Sequence, residues 1–157
     1  MTAQTEATEK KAGELGKARL RKEDERLITG QTNWTDNIVL PGLLHMCFVR
    51  SPFAHARITS VDVSAALEMP GVIAAFSAVD FGEQGSLPCG WPVTEDIVMP
   101  PHPPMATDEV RYVGEAVAVV IAESKAQAED AASMVVIDAE PLDAVIDPYE
   151  ATEDGAP

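Results

Sequence analysis

Positive charge is scarce in this sequence. Of its 157 residues only 11 are Lys or Arg, against 26 Asp or Glu, and the net charge is −15 at pH 7. The shortage is uneven. Residues 1–22 hold six of the basic residues with three Glu, so the rest of the chain sets five basic side chains against 23 acidic ones. Such a surface repels phosphate backbones and excludes nucleic acid as an expected partner. Cysteine is equally sparse. Cys47 and Cys89 stand too far apart for a zinc ribbon or a redox pair. A chain of this length buries enough core to fold without a disulfide, so two free thiols in a reducing compartment are expected. No apolar run reaches the roughly 18–20 residues of a membrane helix, and "MTAQTEATEKKAGELGKARL" has no apolar signal-peptide segment. These absences predict a cytoplasmic protein with no membrane span.

The phosphate-binding motifs are missing too. Neither GxGxxG nor GxxxxGK[ST] occurs, so nucleotide cradles have no support. The three histidines, His45, His55 and His102, lie outside any HxH, HExxH or Cys/His cluster. A catalytic zinc site commonly needs three converging protein ligands. Two of the histidines could meet on a hairpin, but the reading is a partly buried strand His, a turn His and an exposed loop His102. Cys47 falls mid-strand. Cys89 sits in a Pro/Gly loop with the exposure a reactive thiol needs, but with no base beside it. Arg50, Arg57 and Arg111 are expected in structural salt bridges. Glu115 borders an apolar strand, where desolvation favours acid–base chemistry. It could equally pair with Arg111 or cap a turn. No catalytic, cofactor-binding or metal residue is assigned from this chemistry.

What remains is an ordinary globular composition, 46% hydrophobic and 24% charged. Residues 1–22 read as a mobile tail, with a short helix around Leu15 to Leu20 as the alternative. Residues 23–150 read as the domain and 151–157 as a linker stub. Gly30 and Thr32-Asn33 mark a turn. "LLHMCFVR" (43–50) alternates Leu44, Met46, Phe48 and Arg50 against Leu43, His45, Cys47 and Val49. Both faces are largely apolar, which predicts a central strand. "ARITSVDV" (56–63) reads as its return strand in a hairpin across Pro52. "SAALEMPG" is a helical turn with Ser64 at the N-cap, stopped by Pro70-Gly71, and 72–76 is a short strand. Residues 82–107 hold six prolines and three glycines without a periodic pattern. Loops of that length are functional or pack on something outside the chain. "EAVAVVIAE" predicts a strand buried on both faces. Ser124 and Gln127 match a capping box. Ala128, Ala131, Ala132 and Val135 form the apolar stripe of a helix over 125–134. A last strand follows, broken at Pro141. Strand–helix–strand order over 115–140 predicts a βαβ-like crossover beside the hairpin, hence an α+β fold.

Taken in order, the motifs resemble one family. "RKEDERLITG", "LPGLL", "VRSPFAHARI", "PGV" and "DEVRYVGEAVAVV" are similar to the N-terminal a/b hammerhead domain of the molybdenum hydroxylases, the xanthine dehydrogenase and aldehyde oxidase family. The large subunit of aerobic carbon monoxide dehydrogenase is the nearer likeness. The likeness covers about residues 21–152. It implies a mixed sheet with an antiparallel hairpin and one main helix, and a parent subunit several times longer. In the family, later domains hold molybdopterin-molybdenum and the catalytic glutamate, and partner domains or subunits carry [2Fe–2S] clusters and FAD. Those motifs are not in this sequence, so none of its residues inherits a catalytic or molybdenum-binding role. The family's subunit would continue beyond "EDGAP". Ala116 departs from the pattern, since relatives often have proline after VGE. The implied role is structural, packing on cofactor domains and walling the substrate path, with no activity in the chain alone. Two other readings stand beside it: a free-standing interaction module, and a hydrolase using Glu115 with a histidine.

Overall fold

The fold is organised on a central strand, β5 (Ala116–Ala122), in a computed structural model that describes Gly16, residues 18–88, Gly90 and residues 94–156. Val117, Ala118, Val120 and Ala122 on this strand have no solvent exposure. A strand buried on both faces reads as a continuous apolar run, and this one does. Strand β1 (His45–Arg50) pairs antiparallel along one edge of β5, and β3 (Val72–Ser77) along the other. A second three-stranded antiparallel sheet has β2 (Ala56–Asp62) at its centre. The short β4 (Glu109–Val110) and β6 (Val136–Pro141) flank it.

Two compact units make up the chain, Met1–Pro41 and Gly42–Pro157. Among the described residues of the first is helix α1 (Asp24–Ile28). An Arg21 guanidinium donates to Asp24 at 2.8 Å beside it. A 3-10 turn covers Thr35–Asn37. The tail's Lys10, Lys11, Leu15 and Lys17 lie outside the described residues, as does Cys89. Both sheets belong to the second unit. There, α2 (Ser64–Leu67) precedes β3 and α3 (Lys125–Ala132) follows β5. Ala128 and Ala131 bury against the first sheet, where Ala66, Ala75 and Val120 complete a cluster with Val49. A second cluster joins Val117 to Ala56, Ala106 and Val110, with Ile58, Val61 and Ile137 packed around it.

The α+β class is as the sequence predicts, but three pairings differ. β1 and β2 form no hairpin, because they belong to different sheets. The connector is pinned to β5 instead: the Ser51 N–H donates to Glu115 O, and the Gly114 N–H donates to Ser51 O, both at 2.8 Å. Ser51 Oγ then accepts the Phe53 N–H and turns the chain away. Second, β1 is an edge strand, not a central one. Its Met46 and Phe48 face outward, 60% and 39% exposed. Third, β5–α3–β6 is no crossover within one sheet, since α3 carries the chain from one sheet to the other. At smaller scale, α3 ends at Ala132. Val63, not Ser64, is the N-cap of α2, and the Ser64 N–H is held by Asp62 Oδ1 at 2.8 Å.

Candidate functional site

The stretch with the most chemistry is the turn that leads into β5. Gly114 has φ +93°, a conformation open to glycine and strained for other residues. Its N–H bonds Ser51, and its carbonyl accepts from the Arg50 guanidinium at 2.8 Å. The turn closes as the Glu115 N–H donates to Tyr112 O at 3.2 Å. Glu115 is 4% exposed, and its carboxylate accepts the backbone N–H of Arg111. Of the roles open to Glu115 in the sequence, the structure shows the turn cap. A buried carboxylate that closes its own turn answers its desolvation locally.

Arg111 points elsewhere. Its guanidinium lies 3.7 Å from the Glu109 carboxylate and donates to Glu109 O at 3.3 Å. Arg57 reaches the same carboxylate at 4.0 Å and Glu140 at 3.9 Å. Two of the three arginines are therefore in ion pairs, as expected. Arg50 instead holds the Gly114 carbonyl and lies 5.9 Å from the Phe48 ring centroid.

Beside this turn is a groove of about 730 Å³, lined by His55, Glu109, Arg111, Tyr112, Asp143 and mainly aliphatic side chains. His55 Nδ1 sits 2.6 Å from Asp143 O. A carbonyl can only accept, so Nδ1 carries the proton. Glu115 is not in the groove wall, and no Ser, Thr or Cys lines it. The hydrolase pairing of Glu115 with a histidine is thus not assembled here. His45 is on β1 and His55 is in the connector, and no group of three His, Cys, Asp or Glu among the described residues could hold a metal ion. The N-terminus of α3 is closed by its own cap: Ser124 Oγ accepts the Gln127 N–H and donates to Gln127 Oε1 at 2.7 Å.

His102 is half-buried rather than exposed, stacked on Tyr112 with ring centroids 6.2 Å apart. Cys47 is half-buried in β1, its thiol 3.8 Å from the Phe48 carbonyl. The sequence reading missed Gln84. Its amide donates to Met105 O at 3.2 Å and Ala78 O at 3.4 Å, and it accepts from the Met105 N–H at 3.2 Å. That clamp ties the two limbs of the long proline loop together. The only signal for it is one amide side chain among glycines and prolines.

Residues 29–143 match the family model described as aldehyde oxidase and xanthine dehydrogenase, a/b hammerhead domain. The nicotine 6-hydroxylase large subunit of Paenarthrobacter nicotinovorans is 43% identical over 141 residues, which is 90% of this chain and 17% of that one. Quinoline 2-oxidoreductase from Pseudomonas putida 86 superposes with a TM-score of 0.76 at 41% identity, over 88% of this chain and 18% of its own. The Cu,Mo-CO dehydrogenase in its carbon monoxide-reduced state gives 0.73 at 36%, over 90% and 17%. The chain thus spans about a sixth of the length of these relatives.

Proposed function

The chain belongs to the aldehyde oxidase and xanthine dehydrogenase a/b hammerhead family, and from that membership we propose that it is the structural and assembly domain of a molybdopterin-dependent oxidoreductase. One observation carries the reading: the likeness fills nearly the whole chain yet only 17–18% of the relatives. In this reading residues 23–150 are the hammerhead domain, 1–22 a tail and 151–157 a linker. The chain packs on the molybdopterin-binding portion of the large subunit, helps wall the substrate path, and works in the cytoplasm. Iron–sulfur and FAD partners complete the electron route. The turn at Arg111–Glu115 is a structural joint in this reading, because its polar groups bond one another.

The test is affinity purification of the tagged chain from its own cells, with molybdenum and pterin measured in what co-purifies. A long molybdopterin-binding polypeptide in equal amount supports the reading. Recovery of the chain alone, or with partners that hold no pterin, favours a free-standing interaction module and sinks the proposal.

A further inference from the structure

The face of the β1–β5–β3 sheet that points away from α3 carries Phe48, Val119 and Phe76 in one row, because both aromatic residues register with Val119. Ala78, in the 3-10 turn Ala78–Phe81, and Met105 pack on Val119 and Phe76, so the row is closed toward β3 and left open toward β1. Val119 and Met105, each 4% exposed, form the floor of a groove of about 470 Å³. Met46 (60% exposed), Phe48 (39%) and Phe81 (52%) stand open around it, with Pro104 beside them. Phe81 is fixed edge-on against Phe76, ring centroids 5.6 Å apart. An apolar floor with three large open apolar side chains is the kind of patch that marks an interaction site.

We propose that this groove is the seam by which the domain docks on the molybdopterin-binding remainder of the large subunit, receiving an apolar ridge from it. The inference rests on the assembly reading above and adds where the contact is made. Three observations choose this occupant. The relatives carry the remaining four-fifths or so of their length outside the matched segment, so the partner is permanent, and permanent interfaces are apolar at the centre. A second copy is disfavoured, because two chains of net charge −15 repel. A small ligand lacks orienting groups: Gln84 is engaged with Met105 and Ala78, which leaves Glu83 as the ionisable side chain in the wall.

The test uses, as the immobilised probe, the molybdopterin-binding polypeptide recovered with the tagged chain from its own cells. The unaltered chain should bind it. Met46→Lys and Phe48→Glu should each raise Kd by about tenfold or more, the scale of a central interface residue. Val136→Lys, at an exposed site on the other sheet, should leave Kd unchanged. Circular dichroism checks that each variant folds, and Met46→Gln replaces any that does not. If groove variants bind as well as the unaltered chain, or Val136→Lys weakens binding equally, the groove assignment falls and the assembly reading stands. If the unaltered chain does not bind, the assembly reading falls and takes the groove with it. A dimer of the chain alone that Met46→Lys dissolves gives the groove to a second copy and overturns the proposal.

Discussion

Glu115 and Gly114 are neighbours with opposite constraints. Glu115 is held by what its side chain reaches, the Arg111 N–H. Gly114 is held by its backbone alone, since a Cβ there would meet nothing within 4 Å. Glu115→Ala leaves a backbone donor unpartnered and should destabilise the chain by about 1–3 kcal/mol. Glu115→Gln keeps an acceptor oxygen and should cost clearly less. Equal urea midpoint shifts for the two variants would show that the hydrogen bond is not what the side chain contributes. Gly114→Ala should cost about 1–2 kcal/mol through its positive φ with no steric component, and thermal melts will measure it. The sequence marked both residues and their link to Arg111. It could not show that the link runs to the main chain, because a guanidinium and an amide at the same position read alike in a string of letters.

The α3 cap shows how one element is tied to another. Gln127 donates its N–H to Ser124 Oγ and accepts the Ser124 hydroxyl at Oε1, and its side chain also lies against Gly71, the residue that leads into β3. An added methyl at Gly71 would overlap the Gln127 amide, and Gly71 has φ +79°. Ser124→Ala should therefore cost about 1 kcal/mol as a lost cap. Gly71→Ala should cost more, because it strains its own backbone and displaces the cap's partner. The two changes should be sub-additive, since each disturbs the same Gln127. Fully additive urea-derived stabilities for the double variant would disprove that coupling. At α2 the relevant group is Asp62. Hydrogen bonds from the Ser64 side chain, and then from the Ser64 N–H, hold its carboxyl below the ordinary Asp value. A depressed pKa contributes stability above the unfolded value and loses it as pH falls through the folded one. An NMR titration should place the Asp62 midpoint below that of an unstructured peptide, and Asp62→Asn should flatten the acid limb of the stability curve.

Across the whole molecule, what could be read from the sequence divides by range. The β5 strand, the α3 stripe and the Ser124 cap came from patterns inside about ten residues, and they hold, although Gln127 Oε1 accepts from the Ser124 hydroxyl rather than from the N–H of a capping box. The partners of β1 did not, because Cys47 pairs with Val120 and nothing local to residue 47 names residue 120. A hairpin was the cheapest local guess, and burial of Val49 against Val120 and Ala131 won over it. The same non-locality explains why the outward face of β1 read as the inside of a sheet: its Met46 and Phe48 are apolar, and no described part of this chain covers them. In the groove beside the turn, Arg111 and Glu109 pair with each other. Glu109 stands between Arg57 and Arg111, and His55 Nδ1 is held by a carbonyl. With only about a sixth of its relatives' length, the chain alone should oxidise no aldehyde, purine or carbon monoxide with a dye acceptor, and elemental analysis should find molybdenum far below one per chain. Stoichiometric molybdenum in the purified chain would mean that the cofactor contacts lie within these residues, and the division of labour proposed for the domain would have to be withdrawn.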